Sequence, residues 1–193
     1  MEYHNELVSL SNSLDLKAAT TKNVVTALNV PTDIDVLFLL SVPAQLKTML
    51  FNAATLLVYT PSNEHFGIVP LEAMVAGVPV LAANSGGPLE TVVDGETGWL
   101  RLAGDISQWT EVMQKVLHGM THEQLQQMGD EGRRWVKDQF SESKMASRLD
   151  QEIDMMVNSP RQRATELPDV LLGLGVFGMI LTTMFVILFR LLR

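Results

Sequence analysis

The sequence predicts an α/β protein built on a parallel sheet and followed by a C-terminal transmembrane helix. Two features carry that prediction. Between Ile34 and Leu100 short apolar runs alternate with helix signals across short loops. That is the pattern of a parallel sheet with helices on both faces. From Val170 to Phe189 the chain runs without a charged residue. At 1.5 Å per residue this stretch spans about 30 Å, the thickness of a bilayer's hydrocarbon core.

The elements follow in order. Leu7, Leu10 and Leu14 recur at helical spacing and predict a helix within residues 1–24. Ile34 to Val42 (IDVLFLLSV) is a continuous apolar run, as in a strand buried on both faces. Pro43 suits the first turn of a helix reaching about Ala54. Thr55 to Thr60 is a second buried strand, and Pro61-Ser62-Asn63 opens a loop. Ile68 to Ala76 reads as a helix stopped by Gly77. Pro79 to Ala83 is a third strand, followed by the loop Asn84 to Pro88 and a short helix over Leu89 to Val93. Asp94-Gly95 turns the chain into a strand at Thr97 to Leu100. Beyond Asp105 only helices are predicted. Asp105 with Gln108, and Thr121 with Gln124, look like capping boxes, and a third helix covers about Ser141 to Val157. Residues 158–169 form a polar linker and residues 170–189 the membrane span.

That span is closed by Asp169 on one side and by Arg190 and Arg193 on the other. A buried core helix is the competing reading, but few run so far with only Thr182 and Thr183 as polar side chains. Arg161 and Arg163 before it balance Arg190 and Arg193 after it, so flanking charge sets no orientation. Gly173, Gly175 and Gly178 spell G-x-G-x-x-G. No strand precedes them and no acid follows at the needed distance, so a dinucleotide site is rejected there.

Composition excludes several function classes. The 193 residues are 47% apolar and 19% charged, too apolar for a disordered chain. Fourteen Lys and Arg stand against 22 Asp and Glu, a net charge of −8. That argues against nucleic acid as a partner held by a basic field. The absence of cysteine removes disulfides, thiolate metal sites and thiol catalysis. His4, His65, His118 and His122 form no metal-spaced cluster, so no metal is expected. No basic-then-apolar signal segment opens the chain, which favours a cytosolic placement of the head.

In an open parallel sheet, ligands sit outside the carboxyl ends of the strands. Those ends are Pro61–Gly67 and Asn84–Pro88. Glu64 and Glu72, eight residues apart in EHFGIVPLE, bracket a helix start. Its unpaired N–H groups and dipole favour an anion, and Gly67 leaves room for close approach. Carboxylates accept from diols. A phosphate at Phe66, Gly67 and Ile68, flanked by two glutamates, describes a nucleotide-sugar site. From these residues alone a second reading stays open: Glu64 caps the helix and Glu72 lies on its surface.

The wider segment, YTPSNEHFGIVPLEAMVAGVPVLAANSGGPLETVVDGETGWL, resembles the donor half of retaining glycosyltransferases of the two-domain GT-B fold. The matching pieces are Glu64 to Glu72, Ala73-Met74, Gly77 to Val80, Gly86-Gly87 with Glu90, and Gly95 to Leu100. Most members carry Gly after the first Glu, where this chain has His65. The form SNEHFGIVPLEAM looks like the branch that adds alpha-1,3- and alpha-1,6-linked mannose to dolichol-linked oligosaccharides.

The resemblance implies residues 1–157 as a partial, Rossmann-like donor domain of a GT-B glycosyltransferase. It implies GDP-mannose as donor, a dolichyl-diphosphate-linked oligosaccharide as acceptor and no cofactor. It further implies contact with membrane lipid and with other glycosyltransferases of the pathway, and a place on the cytosolic face of the endoplasmic reticulum membrane. By position, Glu64 would be the catalytic carboxylate, holding mannose hydroxyls. The backbone of Phe66, Gly67 and Ile68 would meet the sugar and diphosphate, and Glu72 would hold the ribose diol. Gly86 and Gly87 would keep a second loop close to the donor, with Glu90 bracing it. His65 either packs within the protein or touches donor or acceptor.

Such enzymes also have an N-terminal acceptor domain, and a basic pair near the start of the donor domain that neutralises the diphosphate. Before Glu64 the basic side chains are Lys17, Lys22 and Lys47, none in such a setting. The chain is therefore expected to be a C-terminal fragment that binds donor weakly and does not turn over alone. Two alternatives remain at this point: a related hexosyltransferase with another donor, and a non-catalytic, membrane-anchored donor-domain remnant.

Overall fold

A computed structural model describes residues 2–21, 30–159, 175 and 177–184. The chain divides into two compact units, Met1–Met145 and Ala146–Arg193. The first begins with α1 (Glu2–Ser13), β1 (Ala18–Thr21), β2 (Val36–Leu39), α2 (Ala44–Ala53) and β3 (Leu57–Tyr59). It continues through α3 (Ile68–Ala76), β4 (Val80–Ala83), the short α4 (Pro88–Thr91) and β5 (Gly98–Arg101). Helix α5 (Ile106–Gln114) runs into a π-helical turn over Lys115–Gly119, and α6 (His122–Phe140) follows. Helix α7 (Glu142–Asn158) carries the chain past the boundary between the units.

Among the described residues all strand pairs are parallel, as the alternating pattern predicts, but they form two sheets rather than one. Strands β1 and β2 pair alone, while β3, β4 and β5 form the second sheet in that order. β1 is an addition to the sequence reading, which predicts only a helix within residues 1–24. The helix ends at Ser13, and Asp15 takes φ +57°, a left-handed turn that redirects the chain. The AATT of β1 carries no apolar alternation; its strand state comes from pairing with Val36–Leu39.

β4 is the centre of the fold. Val80, Leu81, Ala82 and Ala83 are all fully buried. Successive side chains of a strand point to opposite faces. Val80 and Ala82 thus join Ala73, Met74, Val78 and Val92 in one cluster, with Trp135 and Val136 of α6 packed against it. Leu81 and Ala83 join Trp99, Trp109, Val112 and Val116 in the other. One core lies beneath α3 and α6, the other beneath α5 and its π-helical extension. Gly98 opens β5 because a Cβ there would stand 2.0 Å from the Val80 carbonyl oxygen.

The caps agree with the sequence in one case and partly in the other. Thr121 and Gln124 form a reciprocal capping box at α6. Asp105 accepts from the Gln108 N–H, but the Gln108 side chain returns to the Asp105 carboxylate instead of its backbone. The Ser107 hydroxyl, then the Gln108 N–H, hold the Asp105 carboxyl below its usual pKa.

The expected linker and membrane span lie mostly outside the described residues. Gly175 and residues 177–184 are helical. Among the described residues no helix is long and apolar enough to cross a membrane.

Helix α6 sits tightly on α3. A Cβ at Gly129 would stand 2.0 Å from the Gly77 carbonyl oxygen. Arg133 of α6 donates to the Ala76 carbonyl at 2.7 Å and to the Val75 carbonyl at 3.3 Å, filling acceptors that α3 leaves open at its end. In an exposed helix, Gly→Ala gains about 1 kcal/mol of propensity. At Gly129 the clash reverses the sign. Gly129→Ala should destabilise by about 1–3 kcal/mol, the range for overpacking, read as a lower urea midpoint at unchanged slope.

Candidate functional site

The site grows from the carboxyl ends of β3 and β4. The loop after β3 carries Ser62, Asn63, Glu64, His65 and Phe66; the loop after β4 carries Asn84 to Gly87. Backbone contacts lock the two together. The Gly87 N–H donates to the Glu64 carbonyl at 2.8 Å, and the Ser85 hydroxyl donates to the Ser62 carbonyl at 2.9 Å. A Cβ at Gly86 would lie 2.2 Å from the Glu64 carbonyl oxygen, and one at Gly87 would lie 2.2 Å from the Phe66 carbonyl. The glycines are therefore needed where one loop presses on the other. Glu90 is exposed, and the bracing falls to Gly87 and Ser85 instead.

Helix α3 opens at Gly67, which takes φ +73° as its N-cap and is buried. Its neighbours leave only ordinary contact distances for a Cβ, so the left-handed backbone, not crowding, demands glycine there. No side chain caps this helix. Pro70 has no N–H to offer, so Ile68 and Val69 carry the donors that the first turn leaves unpaired. Phe66 turns its ring edge-on to Phe140, centroids 6.0 Å apart. Phe140 packs edge-on to Trp135 at 6.2 Å, and Trp135 donates to the Thr91 carbonyl at 3.0 Å.

Glu64 does not cap α3. Its Oε2 accepts from the Tyr59 hydroxyl at 3.1 Å, and Tyr59 closes β3. Burial first, then the Glu64 carboxylate, push the Tyr59 pKa above its ordinary value. Glu64, His65 and Gly86 line an open cleft of about 570 Å³ together with Ser62, Asn63 and Glu90. Glu72 lines a different one, of about 370 Å³, between α2 and α3, with Lys47, Thr48, Phe51 and Val75. Glu72 Oε1 lies 2.5 Å from Lys47 Nζ, while Oε2 is buried without a hydrogen-bond partner. It is thus no free surface carboxylate, and Lys47 has a setting that its place in the sequence does not announce. Among the described residues no group of three or more His, Asp or Glu could hold a metal ion.

Tyr59, Ser85 and Lys47 are the additions that the structure makes. Tyr59 lies five residues before Glu64, near the end of the strand that the sequence predicts over Thr55 to Thr60. Ser85 and Lys47 act across 23 and 25 residues, and no local pattern marks them.

Parallel strands, helices on both faces and two interlocked strand-end loops around Glu64 make a GT-B-like glycosyltransferase fold. Residues 17–135 match the family described as "Glycosyl transferases group 1". The chain belongs to that family. Among curated proteins it is 55% identical over 177 residues to the alpha-1,3/1,6-mannosyltransferase alg-2 of Neurospora crassa, covering 91% of this chain and 37% of that protein. It is 41% identical over 180 residues to the alpha-1,3/1,6-mannosyltransferase alg2 of Schizosaccharomyces pombe, covering 92% and 35%. The chain therefore spans about a third of the length of these relatives.

Solved structures share the fold. The C-terminal domain of the group 1 glycosyl transferase LpcC from Francisella tularensis superposes with TM-score 0.56 at 18% identity, over 74% of this chain and 64% of that one. Anabaena HepE in complex with UDP superposes with TM-score 0.55 at 22% identity, over 67% and 34%.

The raised Tyr59 pKa has a signed consequence. Above about pH 10 the unfolded chain gives up this proton before the folded one does. Folding stability should therefore fall as pH rises through that range. Tyr59→Phe should flatten the fall, read from urea midpoints between about pH 9 and about pH 11.

Proposed function

We propose that this chain is the donor-binding part of a mannosyltransferase that takes mannose from GDP-mannose and passes it to a dolichyl-diphosphate-linked oligosaccharide in N-glycan precursor synthesis. The observation that carries this is the pair of interlocked loops around Glu64, in a chain 55% identical to a fungal alpha-1,3/1,6-mannosyltransferase. The activity is proposed for the protein at the length of those relatives.

In this reading Glu64, steadied by Tyr59, accepts from hydroxyls of the transferred mannose and is the catalytic carboxylate. The N–H groups around Phe66, Gly67 and Ile68 meet the sugar and diphosphate. As the glycosidic bond breaks, charge grows on the leaving diphosphate, and oriented amides with a helix dipole stabilise it without reorganising. Glu72 stands five residues into α3, about 7.5 Å along its axis from Gly67, and accepts from the ribose diol. His65 lines the sugar-side cleft and meets donor or acceptor there. Gly86 and Gly87 act through the loop that they hold in place.

Residues 1–157 are the donor domain in this proposal. Residues 158–169 are a linker, and residues 170–189 are a transmembrane helix holding the protein at the endoplasmic reticulum membrane with the donor domain on the cytosolic face. The uncharged run from Val170 to Phe189 supports the anchor. The acceptor's lipid would meet the same bilayer, and other enzymes of the pathway would be neighbours there.

Donor identity is tested by competition. GDP should displace labelled GDP-mannose from the chain at lower concentration than UDP or ADP; preference for either of the others overturns the assignment. Glu72→Ala should weaken GDP binding about tenfold or more, the scale of hydrogen bonds to a charged group. Unchanged affinity removes Glu72 from the site.

A further inference from the structure

We infer that Lys47 is a positioning residue for the donor site: from α2 it holds one oxygen of Glu72 and leaves the other as the acceptor for a ligand hydroxyl. This rests on the nucleotide-sugar reading of Glu72.

Lys47 lies one turn into α2, where its N–H donates to the Pro43 carbonyl at 3.0 Å. Its ammonium reaches across to α3 and takes Glu72 Oε1 at 2.5 Å. The two side chains are 40% and 32% exposed. A half-exposed pair of this kind adds little to folding stability, so stability alone does not account for it. What it does fix is geometry. A glutamate has three rotatable side-chain bonds, and an ammonium bond at one oxygen sets the direction of the other.

That second oxygen is the unusual one. Glu72 Oε2 is withdrawn from solvent and has no hydrogen-bond partner. A carboxylate oxygen kept dry and unpaired is costly, and a hydroxyl arriving from a ligand removes that cost. Lys47 and Glu72 also line the same cleft, so the pair borders open space. Charge, orientation and a waiting acceptor lie together on two helices that pack side by side.

A purely structural lysine would affect every ligand alike. A positioning lysine acts only through what Glu72 grips. The test uses the full chain with GDP and 2′,3′-dideoxy-GDP, which lacks the ribose hydroxyls, as calorimetric probes. Lys47→Met should weaken GDP about tenfold and leave the dideoxy compound within about twofold. Lys47→Arg, which keeps the charge, should recover most of the loss. In a Glu72→Gln background, Lys47→Met should add nothing further. Equal losses for both probes, or none for GDP, overturn the inference. Lys47→Gln, with folding checked by circular dichroism, stands in if Lys47→Met does not fold. If Glu72→Ala itself leaves GDP affinity unchanged, the nucleotide-sugar reading fails. If Glu72→Ala weakens GDP and Lys47→Met does not, only the role of Lys47 fails.

Discussion

Burial of β4 on both faces organises this molecule. Four consecutive residues without solvent contact need a hydrogen-bonded strand on each edge and an apolar layer above and below. β3 and β5 supply the edges. Met74 on α3 supplies one layer, and Trp109 with Val112 on α5 supplies the other. Since β3 and β4 run parallel and adjacent, their following loops emerge side by side. The contact between Gly87 and Glu64 follows from that placement. Small residues at Ala82, Ala83, Gly86 and Gly87 let the backbone come close enough for it.

The candidate site has little side-chain machinery of its own and is steadied from outside. Glu64 is held by the end of β3, Glu72 by α2, and Phe66 by the end of α6. Glu64 thus takes its direction from the strand just before it, and Glu72 from a helix 25 residues back along the chain. Backbone N–H groups at the start of α3 supply the positive end of the site, and they are placed by the left-handed turn at Gly67. A change in any supporting element can alter the site without touching a residue that lines it.

Legibility in the sequence follows the range of the interactions. Helix α3 was readable to its ends, because Gly67 and Gly77 punctuate it and both take positive φ. β4 was readable as an apolar run between Pro79 and Asn84. β1 was not, because AATT has no pattern of its own and owes its state to β2. The glutamates could be found from their spacing around a helix start. Lys47 could not, since nothing in a local window says which side chain will cross 25 residues to Glu72, whereas Tyr59 lies within five residues of Glu64. Gly86 and Gly87 stand out in the sequence; what requires them, the backbone of the other loop, is visible only in three dimensions.

The ring contact between Phe66 and Phe140 bears on where this domain physically stops. The family match closes at residue 135. Yet the aromatic relay that braces the glutamate loop runs through Trp135 and ends on Phe140, the last residue of α6. The boundary that the family match draws is thus tighter than the boundary that packing draws. A chain cut at the former would keep every motif residue and lose the ring on which Phe66 leans.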